Sequence, residues 1–194
     1  STKAFVVVAR VQQAVGMTLT GQMEKDTTGS LYLSDPSKNI VIRKAGAFAA
    51  PIPFAGNGTA GNSGDNGDPT QAQLNGPVGI AVDNGAFGGV YIADSLNHKI
   101  RKIQGKKISS VLGSGSAGIK PELMSSDEIN FTRAEEMPLN FPQGIAVDVG
   151  GQVFIADSDN AAIYLVDFGR KRVKLFAGQP GSPGTIDGKG RQAM

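Results

Sequence analysis

The sequence contains no cysteine, no tryptophan and only one histidine. Without cysteine the chain has no disulfides, no thiol nucleophile and no cysteine-based zinc site. One histidine and the lack of a G-x-S-x-G turn leave no Ser–His–Asp arrangement to propose. The net charge of +2 is too small to indicate nucleic acid by itself. No apolar run approaches the ~20 residues of a membrane span, so no membrane span is expected.

Glycine is abundant instead, with 27 residues, beside 10 prolines and 40% apolar residues. This composition is typical of a loop-rich globular chain with a core, and it predicts an all-β protein.

The chain repeats itself. Residues 74–83 read LNGPVGIAVD and residues 139–148 read LNFPQGIAVD, identical at eight of ten positions. VYIADSLN at 90–97 then corresponds to VFIADSDN at 153–160. A degenerate earlier copy contains LYLSDPSKN at 31–39. A fixed period indicates a repeat architecture, here three units of roughly 60 residues.

Each unit predicts four short strands separated by turns. In the second unit the strands are Gly79–Val82, VYIAD, HKIRKI and ISSVLG, with turn residues between them. The first strand is nearly continuously apolar, as for a strand buried on both faces. Four antiparallel strands per repeat are typical of a propeller blade.

These motifs resemble the NHL repeat. The resemblance rests on A-Q-L-N-x-P-x-G-I-A-V-D followed by V-Y-I-A-D-S-x-N-H-K-I-R-K-I, with Asn97–Ile100 at the position that gives the family its name. It implies a β-propeller of NHL type with about three blades present. The third unit departs from the pattern at Ala161 and Ala162, and Tyr164 replaces Arg101.

A glycine-rich loop recurs between the units. Gly56, Gly58 and Gly61 fit the G-x-G-x-x-G spacing of a dinucleotide loop, but turn formers follow where that fold needs a helix. Gly113, Gly115 and Gly118 repeat the spacing. Because the loop recurs with the repeat, we interpret it as the link between blades, and no cofactor is predicted.

The unit boundaries and the ring they belong to stay expectations. We expect one NHL region over 1–194, with blade units at 15–61, 74–118 and 139–184, a helix-leaning insert at 119–138 and an unfinished linker at 185–194. Since propellers close with 4–8 blades, we expect either a piece of a longer chain, whose other blades complete the ring, or a homodimer that closes a six-bladed ring.

Three sets of polar residues are candidates for structure or function. One set is predicted to cap and close the turn between the second and third strands: Asp35, Asn39, Asp94, Asn97, Asp157 and Asn160. The weak metal candidates are the acids that end the first strands, Asp83 and Asp148. The basic candidates for binding RNA or a partner are His98, Lys99, Arg101, Arg170, Lys171, Arg172 and Lys174.

The function favoured by these features is a non-catalytic scaffold that binds another protein through a propeller face or rim. RNA binding is the first alternative, because the resemblance includes NHL propellers with a positively charged RNA-binding face. A metal-dependent lactonase- or lyase-like enzyme is the second, although its family builds the metal site from several histidines and this chain has one.

Overall fold

The computed structural model describes residues 22–46, 48–85, 88–119, 128–130, 134–185 and 188–192. The described strands form three antiparallel sheets, which we call blades 1, 2 and 3. Blade 1 consists of β1 (Met23–Lys25), β2 (Ser30–Asp35), β3 (Ile40–Ala45) and β4 (Ile52–Ala55). The first strand predicted for this unit, at 15–20, lies outside the described residues, and β1 is the innermost strand that is described.

Blades 2 and 3 repeat the same meander. Blade 2 consists of β5 (Pro77–Asp83), β6 (Gly89–Asp94), β7 (Lys99–Gln104) and β8 (Lys107–Leu112). Blade 3 consists of β10 (Pro142–Val147), β11 (Val153–Asp157), β12 (Ala162–Asp167) and β13 (Arg172–Gly178). The β-propeller prediction is thereby confirmed, because each repeat folds into one twisted sheet of neighbouring strands.

The predicted insert at 119–138 is described only in part, because residues 120–127 and 131–133 lie outside the described residues. Its described parts are β9 (Glu128–Asn130), which pairs with the outer edge of β13, and a 3₁₀ turn at Ala134–Glu136. Neither part is the helix that the composition favours. The added strand covers backbone donors and acceptors at the sheet edge, which would otherwise be open to pairing.

Two apolar cores lie between the blades. One joins Tyr32 and Val41 of blade 1 to Ile80 and Ile92 of blade 2. The other joins Tyr91 and Ile100 of blade 2 to the third blade. Blade 2 therefore buries one sheet face against blade 1 and the other against blade 3, and stacking of this kind is how repeat proteins obtain a core.

The connections divide the surface into two faces. A meander places alternate turns at opposite ends of the strands, so the β5–β6, β7–β8, β10–β11 and β12–β13 turns lie together, on what we call the hairpin face. The 3₁₀ turns between second and third strands and the glycine-rich loops lie on the opposite, loop face. There Gly113 has φ +101°, and a Cβ would collide with the His98 carbonyl oxygen, so only glycine lets the two segments meet.

Candidate functional site

The repeated aspartates on the loop face connect segments that are distant in sequence. Asp94 Oδ1 accepts the Asn75 N–H at 2.7 Å, and its Oδ2 accepts the Asn97 side-chain amide at 2.8 Å. Asp157 accepts the Asn140 N–H at 2.6 Å and the Asn160 amide at 2.7 Å in the same way. Each carboxylate therefore joins the end of a second strand to the loop that enters the first strand.

The predicted turn cap is present in blade 1 alone of the three described blades. Asp35 accepts the Lys38 N–H at 3.3 Å within its own 3₁₀ turn, whereas Asp94 and Asp157 make no such bond in theirs. Asn39, His98 and Ala161, not Asn97 and Asn160, adopt the left-handed conformation that ends the turns. The asparagines of blades 2 and 3 hold the preceding glycine loop, through the Gly61 and Gly118 carbonyls.

Arg101 is not available to a partner, contrary to its prediction. Its side chain is fully buried, with Nη1 3.2 Å from Asp94 Oδ2 and Nη2 2.8 Å from Asp65 Oδ1. These ion pairs, with hydrogen bonds to the Gln73 and Ser63 carbonyls, offset part of the cost of burying the charge. Arg101 is thus part of the packing of blade 2.

His98 and Lys99 lie on the loop face, away from the other basic candidates. His98 Nδ1 accepts the Phe141 N–H at 3.1 Å, which connects blade 2 to the entrance of blade 3. Lys99 lines a separate pocket of about 470 Å³ with Asp65 and Ser110. The structure therefore separates the basic set into three places.

The remaining basic candidates cluster on the hairpin face. Arg170, Lys171, Arg172 and Lys174 are all exposed, at the β12–β13 turn and along β13. Arg170 Nη1 pairs with Asp167 Oδ2 at 2.9 Å. The β7–β8 turn adds exposed Lys106 and Lys107, which the site prediction omitted although the charged turn was visible in sequence. We call these two turns the basic hairpins.

A pocket of about 440 Å³ opens between the basic hairpins, at the boundary of blades 2 and 3. Its walls include Tyr91 and Lys102 of blade 2 and Phe168 and Arg170 of blade 3. The Tyr91 and Phe168 rings stack with 5.9 Å between centroids, and Lys102 Nζ lies 4.8 Å from the Tyr91 centroid. A cation and two rings from different blades thus form one wall. We call this cavity the inter-blade pocket.

Both weak metal candidates line the inter-blade pocket. Asp83 is buried and its Oδ1 accepts the Gly85 N–H at 2.8 Å; Asp148 is exposed and its Oδ1 accepts the Gly150 and Gln152 N–H groups. One oxygen of each carboxylate therefore holds a β-turn. Among the described residues no three histidine, cysteine or acidic side chains are grouped as a metal site would require.

Burial changes the acid–base behaviour of this pocket. It lowers the pKa of the Lys102 ammonium, against the opposing attraction of Asp83. Burial, reinforced by the Asp83 charge, raises the pKa of Tyr91 to about 12. Tyr91 therefore stays protonated and can donate a hydrogen bond at neutral pH.

Sequence reasoning missed Tyr91, Lys102 and Phe168 as pocket residues. Tyr91 and Lys102 belong to strands whose apolar or alternating pattern predicts packing alone, and Phe168 lies in a turn of the next unit. A comparison of the repeats could have found two of these residues. Tyr91 and Lys102 of the second unit correspond to Phe154 and Leu165 in the third unit, so they are polar where the third unit is apolar.

Comparison with known proteins agrees with the fold. The family model of the NHL repeat matches residues 139–163, which confirms the resemblance seen in the repeats. The chain is 31% identical over 110 residues to Protein SUPPRESSOR OF QUENCHING 1, chloroplastic, of Arabidopsis thaliana, covering 55% of the chain and 9% of that protein. It is 29% identical over 120 residues to NHL repeat-containing protein 2 of Bos taurus, covering 60% of the chain and 15% of that protein.

Solved structures show the same architecture. An auxiliary nutrient binding protein of Bacteroides thetaiotaomicron VPI-5482 superposes with a TM-score of 0.57 at 19% identity, covering 78% of this chain and 36% of that one. A chain of a Nidogen/Laminin complex gives 0.53 at 17% identity, covering 80% and 47%. This chain spans a small part of its sequence relatives and less than half of either solved chain. No helix among the described residues has the length and hydropathy of a membrane span.

Proposed function

We propose that this chain, which carries an NHL repeat at residues 139–163 within a β-propeller fold, is a non-catalytic module that binds a protein partner on its hairpin face. An NHL propeller supports a binding or scaffold role in general, and function depends on the site that a particular chain carries. The observation behind the proposal is the pair of basic hairpins that flank the inter-blade pocket.

The charge of the basic hairpins indicates an acidic partner. Lys106, Lys107, Lys171 and Lys174 are exposed, and Arg170, 73% exposed, is paired with Asp167 at the pocket rim. A patch of one sign attracts an oppositely charged surface and raises the rate of encounter. An acidic segment of a partner would therefore meet lysines on both sides of the pocket.

A protein partner is favoured over RNA by the aromatic residue of the turn itself. Single-stranded RNA is held by aromatic rings that stack with bases. Phe168 instead stacks on Tyr91 and packs against the core between blades 2 and 3. The β12–β13 turn thus offers exposed positive charge rather than a free ring, which suits an acidic peptide.

The turn-holding role of Asp83 and Asp148 favours binding over metal-dependent chemistry. Each carboxylate fixes the hairpin that forms one side of the pocket. This assignment gives both residues a structural purpose without a bound ion.

Selection of phage-displayed random peptides on the whole chain tests the proposal. We expect acidic peptides whose affinity falls at least tenfold in the double variant Lys106→Glu, Lys171→Glu, with one substitution in each hairpin turn. Lys25→Glu is the matched control, because Lys25 is exposed in blade 1, away from the inter-blade pocket, and forms no ion pair with a described residue. Peptides that bind the double variant as well as wild type would overturn the proposal, as would tight binding of oligouridylate without any peptide selected.

A further inference from the structure

The inter-blade pocket contains charges of both signs that no described residue neutralises directly. Lys102 and Asp83 both line it, and neither forms an ion pair within 4.0 Å with any described residue. Asp83 is only 5% exposed, and the Gly85 N–H is the single described group that donates to its carboxylate. Its second carboxylate oxygen is therefore available to a bound group.

In blade 1, by contrast, both oxygens of the carboxylate at the equivalent position accept hydrogen bonds from the same blade. Asp26, which begins the turn after β1, accepts the Thr28 and Ser30 N–H groups at 2.9 and 2.8 Å. Its other oxygen accepts the Tyr32 hydroxyl at 3.2 Å. Tyr91 occupies the position of Tyr32 in blade 2, but no such bond joins it to Asp83. The same repeat position is thus internally satisfied in blade 1 and open in blade 2.

The volume and walls of the pocket suit a small molecule. About 440 Å³ lies within the range of small-molecule sites, which are concave and combine apolar walls with a few placed polar groups. Phe168 and the aliphatic stem of Lys102 give apolar surface. Asp148 and the Arg170–Asp167 ion pair add two acids and one cation at the rim.

We propose that the inter-blade pocket binds a zwitterionic α-amino acid with an apolar side chain. The ligand carboxylate pairs with Lys102 and Arg170, its ammonium group with Asp83 and Asp148, and its side chain packs against Phe168. This inference goes beyond the protein partner proposed for the basic hairpins, and neither depends on the other.

A ligand with charges of both signs pairs with more of the charged side chains in the pocket than an anion, a cation or a neutral ligand does. A simple anion would pair with Lys102 but meet Asp83, Asp148 and Asp167, and a simple cation would pair with the acids but meet Lys102 and Arg170. A neutral sugar would leave partly buried charges without counter-charges, which is costly. Charge-assisted hydrogen bonds at both ends are the stronger type, and they also fix the orientation of the ligand.

Calorimetric titration of the whole chain with matched ligands tests the proposal. The probes are L-phenylalanine, phenethylamine, which lacks the carboxylate, 3-phenylpropanoate, which lacks the ammonium group, and glucose. We expect L-phenylalanine to bind, with each single-charge analogue at least tenfold weaker and glucose without effect. Equal binding of an analogue, binding of glucose alone, or no binding by any apolar amino acid would overturn the proposal.

Two substitutions locate the ligand. Asp83→Asn keeps an oxygen for the Gly85 N–H but removes the charge, and Lys102→Gln removes the cation; each should weaken L-phenylalanine at least tenfold. Asp26→Asn is the matched control at the same turn of blade 1, and should leave the affinity unchanged. Undiminished binding in both pocket variants would refute the location. The double variant Lys106→Glu, Lys171→Glu, which is designed to weaken peptide binding, should still bind L-phenylalanine. The peptide proposal and the amino-acid proposal can therefore be refuted independently of each other.

Discussion

Arg101 Nη1 lies 3.2 Å from Asp94 Oδ2, and both side chains are fully buried. The second guanidinium nitrogen reaches Asp65, and the two nitrogens also donate to the Gln73 and Ser63 carbonyls at 3.3 and 3.4 Å. One side chain of β7 therefore holds together the second strand of its blade and the loop that enters the blade. Asp94 would be buried without a counter-charge if the guanidinium were removed.

Arg101→Met should destabilise the chain strongly. Removing one partner of a buried ion pair typically costs about 3–5 kcal/mol, because the other charge is left uncompensated. Chemical denaturation monitored by circular dichroism measures the change. Arg170→Met is the control at an exposed pair, where a change of at most about 1 kcal/mol is expected. The double variant Arg101→Met, Asp94→Asn should lose less than the sum of its single variants; strict additivity would contradict the coupling.

The fold was predictable because the same pattern of strands occurs in three repeat units of the sequence. Repeated apolar runs and turn residues indicate β5–β8 and β10–β13 even though each strand is short. The burial of Arg101 was not predictable from alternation, because its partner Asp65 is 36 residues away and comes close only in the folded loop. A basic residue in an alternating strand is usually exposed, and here tertiary pairing reverses that expectation.

The inter-blade pocket was only half visible in the sequence. Asp83 and Asp148 stand out because they end two equivalent strands, but Tyr91 and Phe168 meet across a blade boundary. A sequence shows which residues share a strand and not how closely two blades approach. Among the described residues, Gly85 alone donates to the Asp83 carboxylate, whereas in blade 1 Thr28 and Ser30 both donate to Asp26.

Tyr164→Phe should cost little stability or increase it. Tyr164 occupies the position of Arg101 in blade 3, and its hydroxyl is buried without a hydrogen-bond partner among the described residues. Deleting an unsatisfied buried hydroxyl removes a desolvation cost, so we expect stability within about 1 kcal/mol of wild type or above it. Tyr32→Phe is the matched control and should lose about 1 kcal/mol, because the Tyr32 hydroxyl donates to Asp26. Thermal denaturation of both variants checks the prediction. A loss of more than about 2 kcal/mol in Tyr164→Phe would contradict it, because such a loss would mean that the Tyr164 hydroxyl does form a stabilising hydrogen bond.

Phe176→Glu should reduce self-association of the chain. Phe154 and Phe176 form an edge-to-face pair, 5.1 Å between centroids, on the side of blade 3 that faces away from blade 2. Together with Ile163 they hold the positions that in blade 2 pack against blade 3, yet Phe176 is 48% exposed. We therefore expect this face to associate with another blade. Light scattering coupled to size exclusion should show a lower mass for the variant, while Val149→Glu, at an exposed turn residue, should behave as wild type. An unchanged mass in Phe176→Glu would exclude this face as the contact.

Asp157 should make the chain less stable as the pH rises from about 4 to about 7. Burial raises the pKa of this carboxyl from 3.8 to about 7, despite hydrogen bonds from the Asn140 N–H and the Asn160 amide. Unlike Asp94, it forms no ion pair with a described residue. Because the pKa of Asp157 is higher in the folded chain than in the unfolded chain, this carboxyl ionises first in the unfolded chain as the pH rises. The contribution of Asp157 to the free energy of unfolding is therefore complete below about pH 4 and is lost as the pH approaches about 7.

The difference in unfolding free energy between wild type and Asp157→Asn, measured across this range, isolates the effect. The amide stays neutral at every pH, so Asp157→Asn should gain stability relative to wild type as the pH rises towards about 7. Asp167→Asn is the control, because the Arg170 N–H and guanidinium lower the pKa of Asp167 and both states are then ionised over most of this range. Its difference from wild type should stay flat there. A flat difference for Asp157→Asn as well would contradict the prediction, because it would mean that Asp157 is ionised in the folded chain throughout this range.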